Sequence, residues 1–162
     1  GGNLNDRILE TLANQAIQYG YATLAFNVAG VGASVGKTES AAMAAADLGA
    51  VVAYVSDSKG STPKLLGYSF GAIVVSEYLS AQQNLEALLI APVLALGSKR
   101  LSDKARLSGQ VIVGSEDAFA QPKTLSARFE PSSVQLIEGA DHFFNGYDEA
   151  LTKAAEPFFN GT

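Results

Sequence analysis

The stretch that most constrains this chain is Lys64-Leu65-Leu66-Gly67-Tyr68-Ser69-Phe70-Gly71-Ala72-Ile73-Val74-Val75. Two leucines lead into G-x-S-x-G, and Ala72-Ile73-Val74-Val75-Ser76-Glu77-Tyr78-Leu79 behind it reads as a helix. A strand turning sharply into a helix, with a serine between two glycines, is a nucleophile elbow. The turn forces strained dihedrals on Ser69. Gly67 and Gly71 are expected to be glycines because a Cβ at either would strike the neighbouring strand or helix. Such a turn lifts the Ser69 hydroxyl out at the carboxyl end of a sheet. It also points the Phe70 N–H, at a helix N-terminus, toward a developing oxyanion. Only the strand–turn–helix context separates this reading from a plain serine in a Gly-rich turn.

The rest of the chain supplies that context. Asn3-Leu4-Asn5-Asp6 reads as a helix start, with Ile8, Leu9, Leu12, Ala13, Ala16 and Ile17 on one face and Gly20 as the C′ residue. Residues 21–28 read as a buried strand and 29–36 as a Gly-rich loop. Thr38 or Ser40 caps an Ala-rich helix running to about Val55. After the elbow come a buried strand over 85–91, stopped by Pro92, and a polar loop or short helix over 97–108. A strand over 110–113 ends at Gly114, and Pro122 opens a short helix containing Leu125 and Phe129. The last strand covers 133–137, and a closing helix spans 143–159 with Pro157 kinking or fraying its end. This alternation predicts one α/β domain over residues 1–162, with a mostly parallel sheet covered by helices on both faces.

His142 is the only histidine, in Glu138-Gly139-Ala140-Asp141-His142-Phe143 just past the last strand. That position puts it on the same rim as Ser69, where parallel α/β sheets bind ligands. An imidazole there takes the Ser69 proton and returns it to a leaving group. A carboxylate should orient the ring. Asp117, in Gly114-Ser115-Glu116-Asp117 after the preceding strand, is the choice, with Glu116 and Asp141 as competitors. Side chains diverge after a strand end, so one of Glu116 and Asp117 should face the ring. Asp141, adjacent to His142, needs a tight bend to reach it. Ser69, Asp117, His142 is the chain order of the α/β-hydrolase triad.

With these residues the chain resembles the small, lid-poor, dienelactone-hydrolase-like branch of the α/β-hydrolases. The resemblance rests on Gly-Tyr-Ser-Phe-Gly around Ser69, Gly-Ser-Glu-Asp at Asp117 and Gly-Ala-Asp-His-Phe-Phe at His142. Gly1-Gly2-Asn3-Leu4-Asn5-Asp6 and the Phe26-Asn27-Val28-Ala29-Gly30-Val31-Gly32-Ala33-Ser34 segment are similar to it as well. It implies a serine esterase with a catalytic triad, acting on a small-molecule acyl substrate with no cofactor and no metal. Two departures stand out. Val28-Ala29 replaces a usual Phe-Arg, and the family's His-Pro-His-Pro segment, with the strands before it, is absent. The resemblance therefore implies an N-terminally incomplete domain. A strand between residues 21–28 and 64–68, whose end carries the second oxyanion N–H, is expected to be missing.

Two other function classes compete. Gly30-Val31-Gly32-Ala33-Ser34-Val35-Gly36-Lys37-Thr38 sits between a strand and a helix like a P-loop, but Val31 stands where G-x-x-x-x-G-K-[ST] needs glycine. Gly30-x-Gly32 is likewise an incomplete dinucleotide fingerprint. A non-catalytic binding protein on the same fold is the other alternative. Composition narrows the partners. A net charge of −5 leaves no basic footprint for nucleic acid or an anionic membrane. The longest apolar run, 87–96, is interrupted by Pro92 and is too short to span a bilayer. The absence of cysteine excludes disulfides and thiolate metal sites. With no visible secretory signal, a cytoplasmic location is the expectation.

Overall fold

The computed structural model describes residues 2–81, 85–98, 109–130 and 133–161. Among these residues the frame is a parallel sheet of four strands in the order β1-β2-β3-β4: β1 Leu65–Tyr68, β2 Ala87–Ile90, β3 Gln110–Gly114 and β4 Val134–Ile137. The α-helices that accompany it are α1 Arg7–Gln18, α2 Ala41–Lys59, α3 Phe70–Leu79, α4 Pro122–Arg128 and α5 Asp148–Asn160. A short 3₁₀ turn covers Leu94–Leu96. The predicted α/β class is therefore what forms. Expectations for residues 99–108 lie outside the described residues.

Local chemistry accounts for most boundaries. Asp6 caps α1 by accepting from the Ile8 N–H at 2.9 Å. Ile8, Leu12 and Ala16 bury one stripe of α1, while Ile17, expected on that face, is 54% exposed. Ser40, not Thr38, caps α2. That helix runs past Val55 to Lys59 and stops at Gly60 in the left-handed region. Ala41, Ala44, Leu48 and Val52 form its buried stripe, and α2 packs against α3. In α3 the run Ala72 to Val75 is buried on consecutive positions, as befits a helix wedged between a sheet and a second helix. All four residues of β2 are buried, the mark of an interior parallel strand. The other helix pair, α1 and α5, pack together, and Gln15 donates to the Thr152 carbonyl at 2.7 Å.

Two expectations are corrected. Residues 21–28 form no strand: they join no ladder, and Leu24 is 50% exposed. A strand is held by its neighbour's N–H and C=O groups, and apolar composition does not replace them. The segment is instead tied by side chains, with Asn27 Oδ1 accepting from the Leu4 N–H at 2.8 Å and Asp47 Oδ2 from the Ala29 N–H at 2.8 Å. Accordingly β1 pairs with β2 alone among the described residues, and no direct pairing of 22–26 with β1 closes the sheet. The closing helix starts at Asp148, not at Phe143. Phe144 and Gly146 take φ of 51° and 80°, which no α-helix tolerates. Pro157 lies inside α5, which continues through it to Asn160.

Candidate active site

Ser69 follows β1 directly, at φ 53° and ψ −113°. A non-glycine residue there carries strain of order 1–3 kcal/mol, which the surroundings must hold in place. The Ser69 N–H donates to the Ile90 carbonyl at 2.8 Å, anchoring the turn to the end of β2. Gly67 permits the turn, because a Cβ on it would lie 2.5 Å from the Gly71 carbonyl oxygen. At Gly71 the expected collision is absent: nothing outside the local helix backbone lies within 4 Å of where a Cβ would stand. The two glycines of the motif are thus unequal. Gly67→Ala is expected to destabilise the fold by about 1–3 kcal/mol through overpacking. Gly71→Ala, inside α3, should leave stability unchanged or raise it by up to about 1 kcal/mol. Urea-unfolding midpoints of the two variants compare them, and equal losses would refute the asymmetry.

The turns after β3 and β4 bring the other two side chains to the same rim. His142 Nε2 lies 3.0 Å from Ser69 Oγ, and His142 Nδ1 lies 2.8 Å from Asp117 Oδ2. Both His142 and Asp117 are buried. The remaining Asp117 oxygen, Oδ1, accepts from the backbone N–H groups of Phe119 at 2.8 Å and Ala120 at 2.7 Å. The competing acids are elsewhere. Glu116 and Asp141 are exposed, and Asp141 Oδ1 caps the Phe143 N–H at 2.9 Å. Phe70 is the first residue of α3, so its N–H is among those the helix itself leaves without an acceptor.

Sequence reasoning passes over three residues that assemble this rim. Gly114 reads in the sequence only as a strand end. A Cβ on it would meet the Ala140 carbonyl oxygen at 2.1 Å, so glycine alone lets the Asp117 turn lie against the His142 turn. That contact is sealed by the Glu116 N–H donating to the Ala140 carbonyl at 3.0 Å. Tyr68, beside the serine, donates its hydroxyl to the His142 carbonyl at 3.0 Å and lays its ring 5.5 Å from the imidazole. Burial, reinforced by Asp6, Asp117 and Asp141 and opposed by Arg7, pushes the Tyr68 phenol up to about 12. It therefore stays a donor at any ordinary pH. Arg7 pairs with Asp148 and donates to the Phe143 carbonyl at 2.6 Å, linking α1 to the same turn. Sequence motifs carry no signal for such contacts; the glycine before Ser115 is the nearest to one.

The loop between residues 29 and 38 lacks P-loop geometry. Its Gly30 N–H is taken by the Ser34 carbonyl at 3.2 Å, the following helix starts only at Ala41, and exposed Lys37 pairs with Glu39 at 2.7 Å. Among the described residues no cluster of His, Asp and Glu is suited to a metal, and no helix is long and apolar enough to cross a membrane.

No protein-family model matches the chain. An uncharacterized protein of Rickettsia prowazekii is 24% identical over 172 residues, spanning 97% of this chain and 72% of its own length. Among solved structures, an alpha-beta serine hydrolase homologue from Coxiella burnetii superposes with a TM-score of 0.83 at 24% identity, over 94% of this chain and 76% of that one. A serine hydrolase without lid from Xanthomonas campestris gives 0.80 at 23% identity, over 100% and 78%. At these identities the likeness speaks for the fold, and the sheet order and strand-end turns described above agree with it. The chain has the α/β-hydrolase fold.

Proposed function

We propose that the chain is a serine hydrolase cleaving esters, lactones or related acyl compounds through an acyl-enzyme on Ser69. The observation that carries this reading is the continuous hydrogen-bonded line from Ser69 Oγ through the imidazole to Asp117, at 3.0 and 2.8 Å. His142 Nε2 accepts the hydroxyl proton as Oγ bonds to the substrate carbonyl carbon. Asp117 keeps the proton on Nδ1, so that Nε2 is the basic nitrogen, and stabilises the imidazolium. The carbonyl oxygen gains the negative charge, and the Phe70 N–H is one donor aimed at it. When the tetrahedral intermediate collapses, the bond to the leaving oxygen breaks and His142 returns the proton to it. Water then repeats the cycle on the acyl-enzyme.

Fluorophosphonate labelling of Ser69, read by peptide mass, followed by turnover of an ester panel, tests the reading. A chain that binds esters yet neither labels nor turns them over is a binding protein on this fold. Lys37→Ala should change neither labelling nor turnover, since the solvated Lys37–Glu39 pair has no part in these steps. Saturable ATP binding that Lys37→Ala removes would revive the nucleotide alternative.

A further inference from the structure

Two large rings stand beside the imidazole and remain in solvent. Phe119 is 61% exposed and Phe143 51% exposed, although His142 and Asp117 between them are buried. The Phe119 ring lies 5.1 Å from the imidazole and the Phe143 ring 5.4 Å, both edge-on, and the two phenyl groups are 6.4 Å apart. Their backbones are fixed by carboxylates two residues before each. The Phe119 N–H is held by Asp117 and the Phe143 N–H by Asp141. Exposed aromatic surface held in a set geometry is surface that a ligand covers at little ordering cost.

Mechanism says which part of a substrate comes there. His142 Nε2 must reach the departing oxygen to protonate it, so the leaving group lies against the imidazole and the acyl group extends away from it. We propose that Phe119 and Phe143 form the leaving-group subsite, and that the preferred substrates are esters of apolar, especially aromatic, alcohols. This rests on the hydrolase reading above. The chemistry is unchanged: the Ser69 Oγ–acyl bond forms, the acyl–O(alcohol) bond breaks, and the serine proton leaves on the alcohol through His142.

The test uses acetates of methanol, n-butanol and benzyl alcohol, whose leaving groups differ little in acidity, and methyl esters of acyl chains from acetate to hexanoate. The purified chain should favour benzyl over methyl acetate in kcat/KM. Phe119→Ala and Phe143→Ala should each cut that ratio about tenfold, equivalent to ~1.4 kcal/mol and the scale of one aromatic contact. The dependence on acyl-chain length should keep its shape. Phe→Leu at each position should restore part of the butyl preference and less of the benzyl preference. Fluorophosphonate labelling of Ser69 reports in the same samples whether the site is intact. An unchanged benzyl-to-methyl ratio with labelling retained overturns the subsite and leaves the hydrolase standing. A change in acyl-chain preference instead assigns the rings to the acyl side and overturns it too. Absence of both labelling and turnover in the unmutated chain overturns the hydrolase reading and the subsite with it.

Discussion

Replacing Ser69 with Ala is expected to lower kcat for ester hydrolysis by roughly 10⁶-fold, and His142→Ala by a similar factor. The double variant should be scarcely worse than either. The reason is geometric: Ser69 Oγ and His142 Nε2, 3.0 Å apart, act in one proton transfer, so removing either atom removes the step. The variants should remain folded. Ser69→Ala deletes one oxygen from a turn held by its own backbone N–H to Ile90, and the Gly114–Ala140 contact that shapes the histidine turn does not involve the imidazole. Steady-state rates on an activated ester, with active-site titration to exclude contaminating enzyme, measure the loss. Turnover near the original rate in Ser69→Ala would exclude an acyl-enzyme on this residue.

Asp117→Asn should cost about 10⁴-fold in kcat while barely altering the fold, and the structure says why an isosteric change is so damaging. The position of an amide here is not free. Oδ1 accepts from two backbone N–H groups, Phe119 and Ala120, so the asparagine oxygen must take that place. Its NH₂ then replaces Oδ2, 2.8 Å from His142 Nδ1. A donor facing Nδ1 forces that nitrogen to accept, which moves the ring proton to Nε2. The nitrogen facing Ser69 then carries a proton and cannot take another. Because His142 is the only histidine, its ring resonances are assignable without further labelling. Nitrogen-15 NMR should report the tautomer changing from Nδ1–H to Nε2–H, in step with the lost rate. An unchanged tautomer together with an unchanged rate would remove Asp117 from the proposed mechanism.

The elements of this chain differ in how openly the sequence carries them. The elbow, β2, β3, β4 and α4 are set by neighbours in sequence: an apolar run for each strand, a Pro122 opening, Gly67 between strand and helix. Their ends are therefore readable to within a residue or two. Residues 21–28 have the same apolar run and form no strand, because strand formation is a property of a pair and no described strand pairs with them. Residues 143–147 look helical, but Phe144 and Gly146 turn left-handed so that the chain can carry His142 to the rim before α5 starts. Gly67 and Gly71 are indistinguishable in the motif and opposite in space.

Sequence alone determined the order and the rim. G-x-S-x-G after an apolar strand, an acid after the next-to-last strand and the single histidine after the last must all fall at the carboxyl ends of parallel strands, because alternation of strand and helix leaves no other arrangement. Tertiary structure decided the choices among near neighbours. Asp117, rather than Glu116 or Asp141, meets the imidazole: Glu116 shares the turn that Gly114 lets close against Ala140, but its side chain is exposed while that of Asp117 is buried against the ring. It also decided that Tyr68 holds the histidine carbonyl and that Phe119 and Phe143 flank the ring. The contacts of Tyr68 and Asp117 with His142 span 74 and 25 positions of chain and depend on how strands stack and turns cross, which no local pattern encodes.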